Sequence, residues 1–135
     1  MLMRHSVAIA MWTDLWTRVN SELGATAVLE GWDGTPPADI DDADAGSMIV
    51  NFSMANPVLL ALSGDVASAN PPSNDTDTGA GTVQYWRMKT GTGGNTIFQW
   101  TEGDDFVTDN PTFALHDECA LSSLIFTFQA LPDDH

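Results

Sequence analysis

Four aspartates fall close together in the chain, at Asp39, Asp41, Asp42 and Asp44. Carboxylates at that density are the raw material of a calcium site, which gathers about six to eight oxygen ligands. The helix–loop–helix calcium loop asks for Gly at its sixth position and Glu at its twelfth. Counted from Asp39, those positions hold Asp44 and Val50. The segment therefore reads as a solvated acidic loop, with incidental calcium binding by these four side chains as the alternative metal assignment. His116-Asp117-Glu118-Cys119 also packs ligand types together. Zinc needs about four converging ligands, and the other histidines are His5 and His135, near the two ends. A Cys–His nucleophile pair fares no better, because adjacent residues on a strand point to opposite faces. The expectation is a turn leading into a strand, with a semi-buried thiol.

Arg87 and Lys89 alternate on one strand face beside Tyr85. With five tryptophans in the chain, a base-stacking platform is conceivable, but two cations in so acidic a chain fit pairing with carboxylates better, on this chain or on a neighbour. Gly91-Thr92-Gly93-Gly94 lacks the Lys and the following helix of a phosphate loop. Asp104-Asp105 has no basic or histidine partner nearby, and Ser63 sits in no nucleophile elbow. No catalytic set, cofactor motif or enzyme emerges from the residues.

The composition sets the frame for these candidates. The chain has 135 residues, 43% of them apolar, which is enough for one folded core. Four Lys and Arg stand against 19 Asp and Glu, a net charge of −15. That balance argues against binding nucleic acid or an anionic membrane surface, both of which recruit cations. No apolar run is long enough to span a bilayer, and the lone Cys119 excludes an internal disulfide. The acids are mostly Asp. Short carboxylates hold water, so the balance suits a saline habitat, mutual repulsion between particles, or simply a solvated surface.

Residues 1–24 read as an amphipathic helix, and 25–131 as a run of short strands ending in a loose tail, 132–135. Val7, Met11, Leu15, Val19 and Leu23 recur at near-fourfold spacing, widened by Ile9, Trp12 and Trp16. Gly24 is the natural stop. The apolar stretch Val7 to Trp12 is too short for a signal peptide and runs straight into the amphipathic pattern. Met11, Trp12, Leu15, Trp16 and Val19 are expected to form an apolar anchor, on the chain's own sheet or on a partner. Beyond Gly24 the period falls to two. About seven strands are expected, near Thr26–Trp32, Ser47–Ser53, Val66–Ala69, Thr82–Lys89, Thr96–Thr101, Thr112–Leu115 and Ala120–Phe128, with Val58–Leu62 as a short apolar run and Ser63-Gly64-Asp65 as a turn. Val83, Tyr85, Arg87 and Lys89 should share one face, and Asn70–Gly81 should be a loop without packing residues. Asp33-Gly34-Thr35-Pro36 should form a tight turn with Gly34 at positive φ. The expected fold is mainly β: an antiparallel β-sandwich or jelly-roll-like barrel preceded by one amphipathic helix.

The segment order resembles a group of small virion-associated proteins of tailed phages. The helix is followed by Ala27-Val28-Leu29-Glu30-Gly31-Trp32-Asp33-Gly34-Thr35-Pro36-Pro37-Ala38, similar to that group's strand and aromatic-Asp-Gly-Thr-x-Pro-Ala turn. Asp44-Ala45-Gly46-Ser47-Met48-Ile49-Val50 is similar to its small-residue loop and second strand. Gly79 to Met88 resembles its Gly-x-Ala/Thr-x-x-aromatic-Arg-apolar strand, and Ala120 to Thr127 its closing strand. The group is usually less acidic. The resemblance implies a virion structural role without catalytic residues or cofactors. The specific expectation is a capsid decoration (cement) protein on the outer surface of the phage head, assembled in the bacterial host cytoplasm. Its partners would be the major capsid protein and copies of itself, with no nucleic acid and no membrane. Interface residues would be Met11, Trp12, Leu15, Trp16, Val19, Arg87 and Lys89. A tail-associated structural or receptor-binding module, and a carbohydrate-binding or hydrolytic β-domain, are the alternatives.

Overall fold

A computed structural model describes residues 4–60, 63, 66–104, 108–121 and 123–127. Helix α1 spans His5–Leu23. Its end follows from one residue. Gly24 takes φ 65° and donates its N–H to the Asn20 carbonyl, a backbone conformation that costs a residue without Cβ little.

The strands that follow are β1 (Val28–Trp32), β2 (Met48–Ser53), β3 (Val66–Ser68), β4 (Gly81–Thr82), β5 (Tyr85–Lys89), β6 (Thr96–Thr101), β7 (Thr112–Phe113) and β8 (Ile125–Thr127). They make a four-stranded antiparallel sheet in the order β2-β1-β5-β6 and two small antiparallel pairs, β3-β8 and β4-β7. The fold is mainly β and β-sandwich-like, with one N-terminal helix. Among the described residues no sheet closes into a barrel.

Register explains how the main sheet is used. Leu29 faces Phe52 on one side and Met88 on the other, and Met88 faces Phe98. Gly31 faces Val50 and Trp86, and Trp86 faces Trp100. A Cβ at Gly31 would press on the Trp86 indole at 3.0 Å, so the missing side chain makes room for the ring. These rows form the apolar face, onto which α1 packs through Val19 and Leu23 and β8 through Phe126. The other face is polar: Asn51, Glu30, Arg87 and Gln99 line up across the four strands.

Several expected strands are shorter or divided. Thr82–Lys89 is two pieces: β4 pairs with β7, while β5 pairs with β1 and β6. The break at Val83-Gln84 turns Val83 into the apolar core beside Trp86, away from the Tyr85 face. Of the Val58–Leu62 run, Leu59 makes only an isolated bridge to Ala69. Ala61, Leu62, Gly64 and Asp65 lie outside the described residues. Ala120–Phe128 reduces to β8 and Thr112–Leu115 to β7. Phe128 and the 132–135 tail also lie outside the described residues. In β2, Met48 is exposed and Ile49 is buried with Val50 and Phe52. Asn70–Gly81 does pack. Thr78 is fully buried, Asp75 accepts the Asn51 N–H at 2.8 Å, and Gly79 N–H bonds the Ile49 carbonyl, so this segment covers the outer edge of β2.

Candidate functional site

The acidic loop lies over the polar face of the sheet, and four side chains sew it there. Tyr85 Oη donates to the Ala45 carbonyl and accepts the Ala45 N–H, both at 2.8 Å. Arg87 donates through Nε to Gln99 at 2.8 Å and through Nη1 to the Asp42 carbonyl at 2.8 Å and the Asp44 carboxylate at 3.1 Å. Its Nη2 reaches the Asp39 carbonyl at 3.3 Å. Gln99 donates to the Pro37 carbonyl at 2.8 Å. Lys89 Nζ pairs with Glu30 at 2.8 Å and with Asp44, and lies 5.3 Å from the centre of the Trp32 ring.

Glu30, Arg87 and Lys89 are only 2–3% exposed. Burying such groups is tolerable only when each charge is paired and hydrogen-bonded. Arg87 and Lys89 meet that condition within this chain, so of the two expected settings, carboxylates of this chain or of a neighbour, the first holds, and as interior residues they are not the interface contacts also expected of them. Burial alone would lower the Lys89 pKa. The hydrogen bonds and charges of Asp44 and Glu30 outweigh it, and the net shift is upward. Burial is also the main cause raising Tyr85.

The calcium alternative fails on the same geometry. Asp44 is committed to Arg87 and Lys89. Asp39 Oδ1 accepts the Asp41 N–H at 3.0 Å, and Asp42 Oδ2 accepts the Asp39 N–H at 3.2 Å, so two more carboxylates shape the loop locally. Two buried cations beside them repel a third. Among the described residues, no group of three or more His, Cys, Asp or Glu side chains is arranged to hold a metal ion. A cavity of about 220 Å³ borders the cluster, lined by Asp41, Asp42, Asp44, Arg87, Lys89 and Asn95 among others.

Protein-family models, curated proteins and solved structures give no match to this chain. The candidate sites therefore stand on geometry alone.

The second polar cluster joins the 74–79 and 114–119 segments. Asp75 and Cys119 exchange backbone hydrogen bonds, Asn74 donates to Glu118 at 2.9 Å, and His116 pairs with Asp77. His116 sits at φ 66°, an unusual conformation for a residue with a side chain. The Cys119 thiol is pushed up to about 11, first by burial and then by the Asp75 charge. A thiol held protonated at neutral pH is a poor nucleophile. Cys119 also borders an open groove of about 640 Å³, with Phe113, Leu121 and Leu124 among its lining.

The Asp33–Pro36 segment bends at Gly34 without the hydrogen-bonded tight turn expected, and glycine is needed there for a different reason. Gly34 is not in the left-handed region. The left-handed glycine of this junction is Gly46, at φ 86°. Gly34 is required by close approach: a Cβ there would overlap the Ala45 carbonyl. Asp33 completes the junction by accepting the Ser47 N–H at 2.6 Å and donating its own N–H to Ser47. Thr35 is exposed and Pro36 half-buried.

The helix anchor divides into two faces. Val19 is buried, and Trp12 and Trp16 pack against the core from the same side. Trp16 Nε1 donates to the Leu60 carbonyl at 2.8 Å, and Asn20 grips Leu59 with two bonds, to its carbonyl and from its N–H. Met11 and Leu15 point outward with Val7. Sequence reading placed Tyr85 beside the two cations but missed Glu30 and Gln99 as parts of the same polar layer. The available signal was an acid at alternate spacing in one strand and two cations at alternate spacing in another.

Proposed function

We propose that this chain is a virion structural protein of a tailed phage, a decoration protein on the outer surface of the head that works through repeated surface contacts. The observation that carries this reading is the exposed apolar stripe Val7, Met11 and Leu15, on a helix already anchored in its own core through Trp12, Trp16, Val19 and Leu23. A rigid body presenting a spare apolar face is what a contact protein needs. The similarity of segment order to small phage virion proteins supports the same reading. So does the disposition of the polar groups: the buried ion pairs and the Tyr85 and Gln99 bonds fix a loop on the sheet, a structural use.

Multivalent docking lets weak individual contacts add to firm retention on a symmetric lattice. Crowding chains of −15 charge on one surface opposes that retention, and salt screens the repulsion. Purified particles, separated into heads and tails and assayed for this protein by mass spectrometry, test the proposal. Presence on heads, with retention rising as salt is raised, is the expected result. Presence on tails alone transfers the role to the tail-associated alternative. Absence from particles overturns the reading.

A further inference from the structure

We propose that the outer face of α1 is a self-association surface on which a second copy of this chain docks through Val7, Met11 and Leu15. The inference rests on the reading of the chain as a surface-contact protein and names the partner of that face. The three residues are spaced by four and share one side of the helix. They are 49%, 51% and 48% exposed, although the same line of residues continues into Val19 and Leu23, which α1 buries in the core.

Charge selects the occupant. Residues 1–24 hold Arg4, Arg18, Asp14 and Glu22, and so carry no net charge. The whole −15 belongs to residues 25–135, where Arg87 and Lys89 face seventeen acids and are themselves buried. A basic partner would be drawn to the acidic surface, not to the one neutral face. A copy of this chain meets repulsion on every approach except through the helix, where the surface is neutral and apolar. A two-fold axis beside Met11 sets the helices antiparallel, with Met11 against Met11 of the second copy and Val7 against Leu15 of the second copy. Three side chains a copy fall well short of the about 20–30 residues a side of a firm interface, so the association is weak and tuned by salt.

Sedimentation equilibrium of the full chain tests this, with submillimolar protein in about 0.01 M and about 1 M NaCl, where the Debye length is about 30 Å and about 3 Å. The expected result is a monomer in dilute salt and a shift toward twice the 14.5 kDa chain mass in concentrated salt. Met11→Glu abolishes the shift with the far-UV circular dichroism unchanged. Leu115→Glu, an equally conservative change at an exposed site away from the helix, leaves it intact. Oxidation of a Met11→Cys variant yields a covalent dimer that the wild-type chain does not form, since a disulfide needs the two Cα atoms within about 7 Å. A monomer at every salt concentration overturns the proposal. So does association that weakens with salt, or association that survives Met11→Glu. Particle content is scored separately, so loss of self-pairing leaves the virion reading to its own test.

Discussion

Glu30 stands directly opposite Arg87 in the β1–β5 register, yet its ion pair is with Lys89, two residues further along the same face, at 2.8 Å. The diagonal pairing frees Arg87 to reach up from the polar face to the Asp39–Asp44 loop that covers it. Asp44 then closes the set by pairing with both cations. One face of a β-sheet is thereby buried under a loop that hydrogen bonds and ion pairs hold in place.

This arrangement predicts a strong asymmetry between single and double substitutions. Lys89→Met leaves Glu30 buried without its cation, and should destabilise the fold by about 3–5 kcal/mol. Glu30→Gln combined with Lys89→Met removes both charges and should recover a large part of that loss. Urea unfolding of the three proteins measures it. A double variant as unstable as Lys89→Met would show that Glu30 is not the group left exposed to the penalty.

The junction glycines separate two reasons for having no side chain. Gly24 has open space around it but combines φ 65° with ψ −153°, a region nearly restricted to glycine, so Gly24→Ala should cost about 1–2 kcal/mol. Gly34 has an ordinary φ but no space, because a Cβ collides with the Ala45 backbone. Gly34→Ala should therefore cost more, toward about 3 kcal/mol, and should raise hydrogen exchange at Ser47, whose N–H bonds Asp33. Equal losses at the two sites, with Ser47 protection unchanged, would contradict the steric account.

Much of the β framework was legible in the sequence because periodicity reports it directly. The alternation of Trp86 and Met88 against Tyr85, Arg87 and Lys89 was correct, and so was the helix stop at Gly24. What periodicity cannot report is how a face is covered. Alternation and charge balance gave Arg87 and Lys89 carboxylate partners on this chain or on a neighbour, but only the covering loop, which is distant in sequence, decides for this chain and puts both cations inside. The Gly34 conformation was misjudged for a related reason. Asp-Gly is a local turn signal, whereas the constraint on Gly34 comes from Ala45. Val83 left the expected strand face because β4 takes a different partner from β5, a tertiary choice with no local mark.

Alkaline pH should loosen the fold. Cys119 has its pKa raised from about 9 to about 11, and Tyr85 and Lys89 are raised as well. In each case the folded state holds its proton more tightly than the unfolded chain. The resulting stability is complete below the unfolded pKa and is lost as pH climbs through the folded value. The Cys119 contribution therefore fades between about 9 and about 11. Iodoacetamide labelling of the native protein should stay slow at pH 9 and accelerate toward pH 11, while urea-unfolded protein labels readily near pH 9. Native and unfolded chains labelling with the same pH profile would remove the burial argument.

The last prediction concerns how α1 is held. Asn20 gives its amide hydrogen to the Leu59 carbonyl at 3.1 Å and accepts the Leu59 N–H at 2.9 Å, so one side chain satisfies both backbone groups of a fully buried residue. One helical turn earlier, Trp16 bonds the next carbonyl, Leu60. Asn20→Ala strands the two Leu59 backbone groups and should cost about 2–3 kcal/mol, more than a typical single hydrogen bond. Asn20→Asp keeps the acceptor and loses the donor, placing a carboxylate against a carbonyl, and should be at least as harmful. Met11→Ser, on the opposite side of the same helix, should change monomer stability by no more than about 0.5 kcal/mol. Thermal unfolding in dilute salt, where chain-to-chain repulsion is least screened, isolates the monomer. If Met11→Ser proved as damaging there as Asn20→Ala, the outer face of α1 would be bearing on the chain's own core, and the division of the helix into an anchored side and a spare side would be wrong.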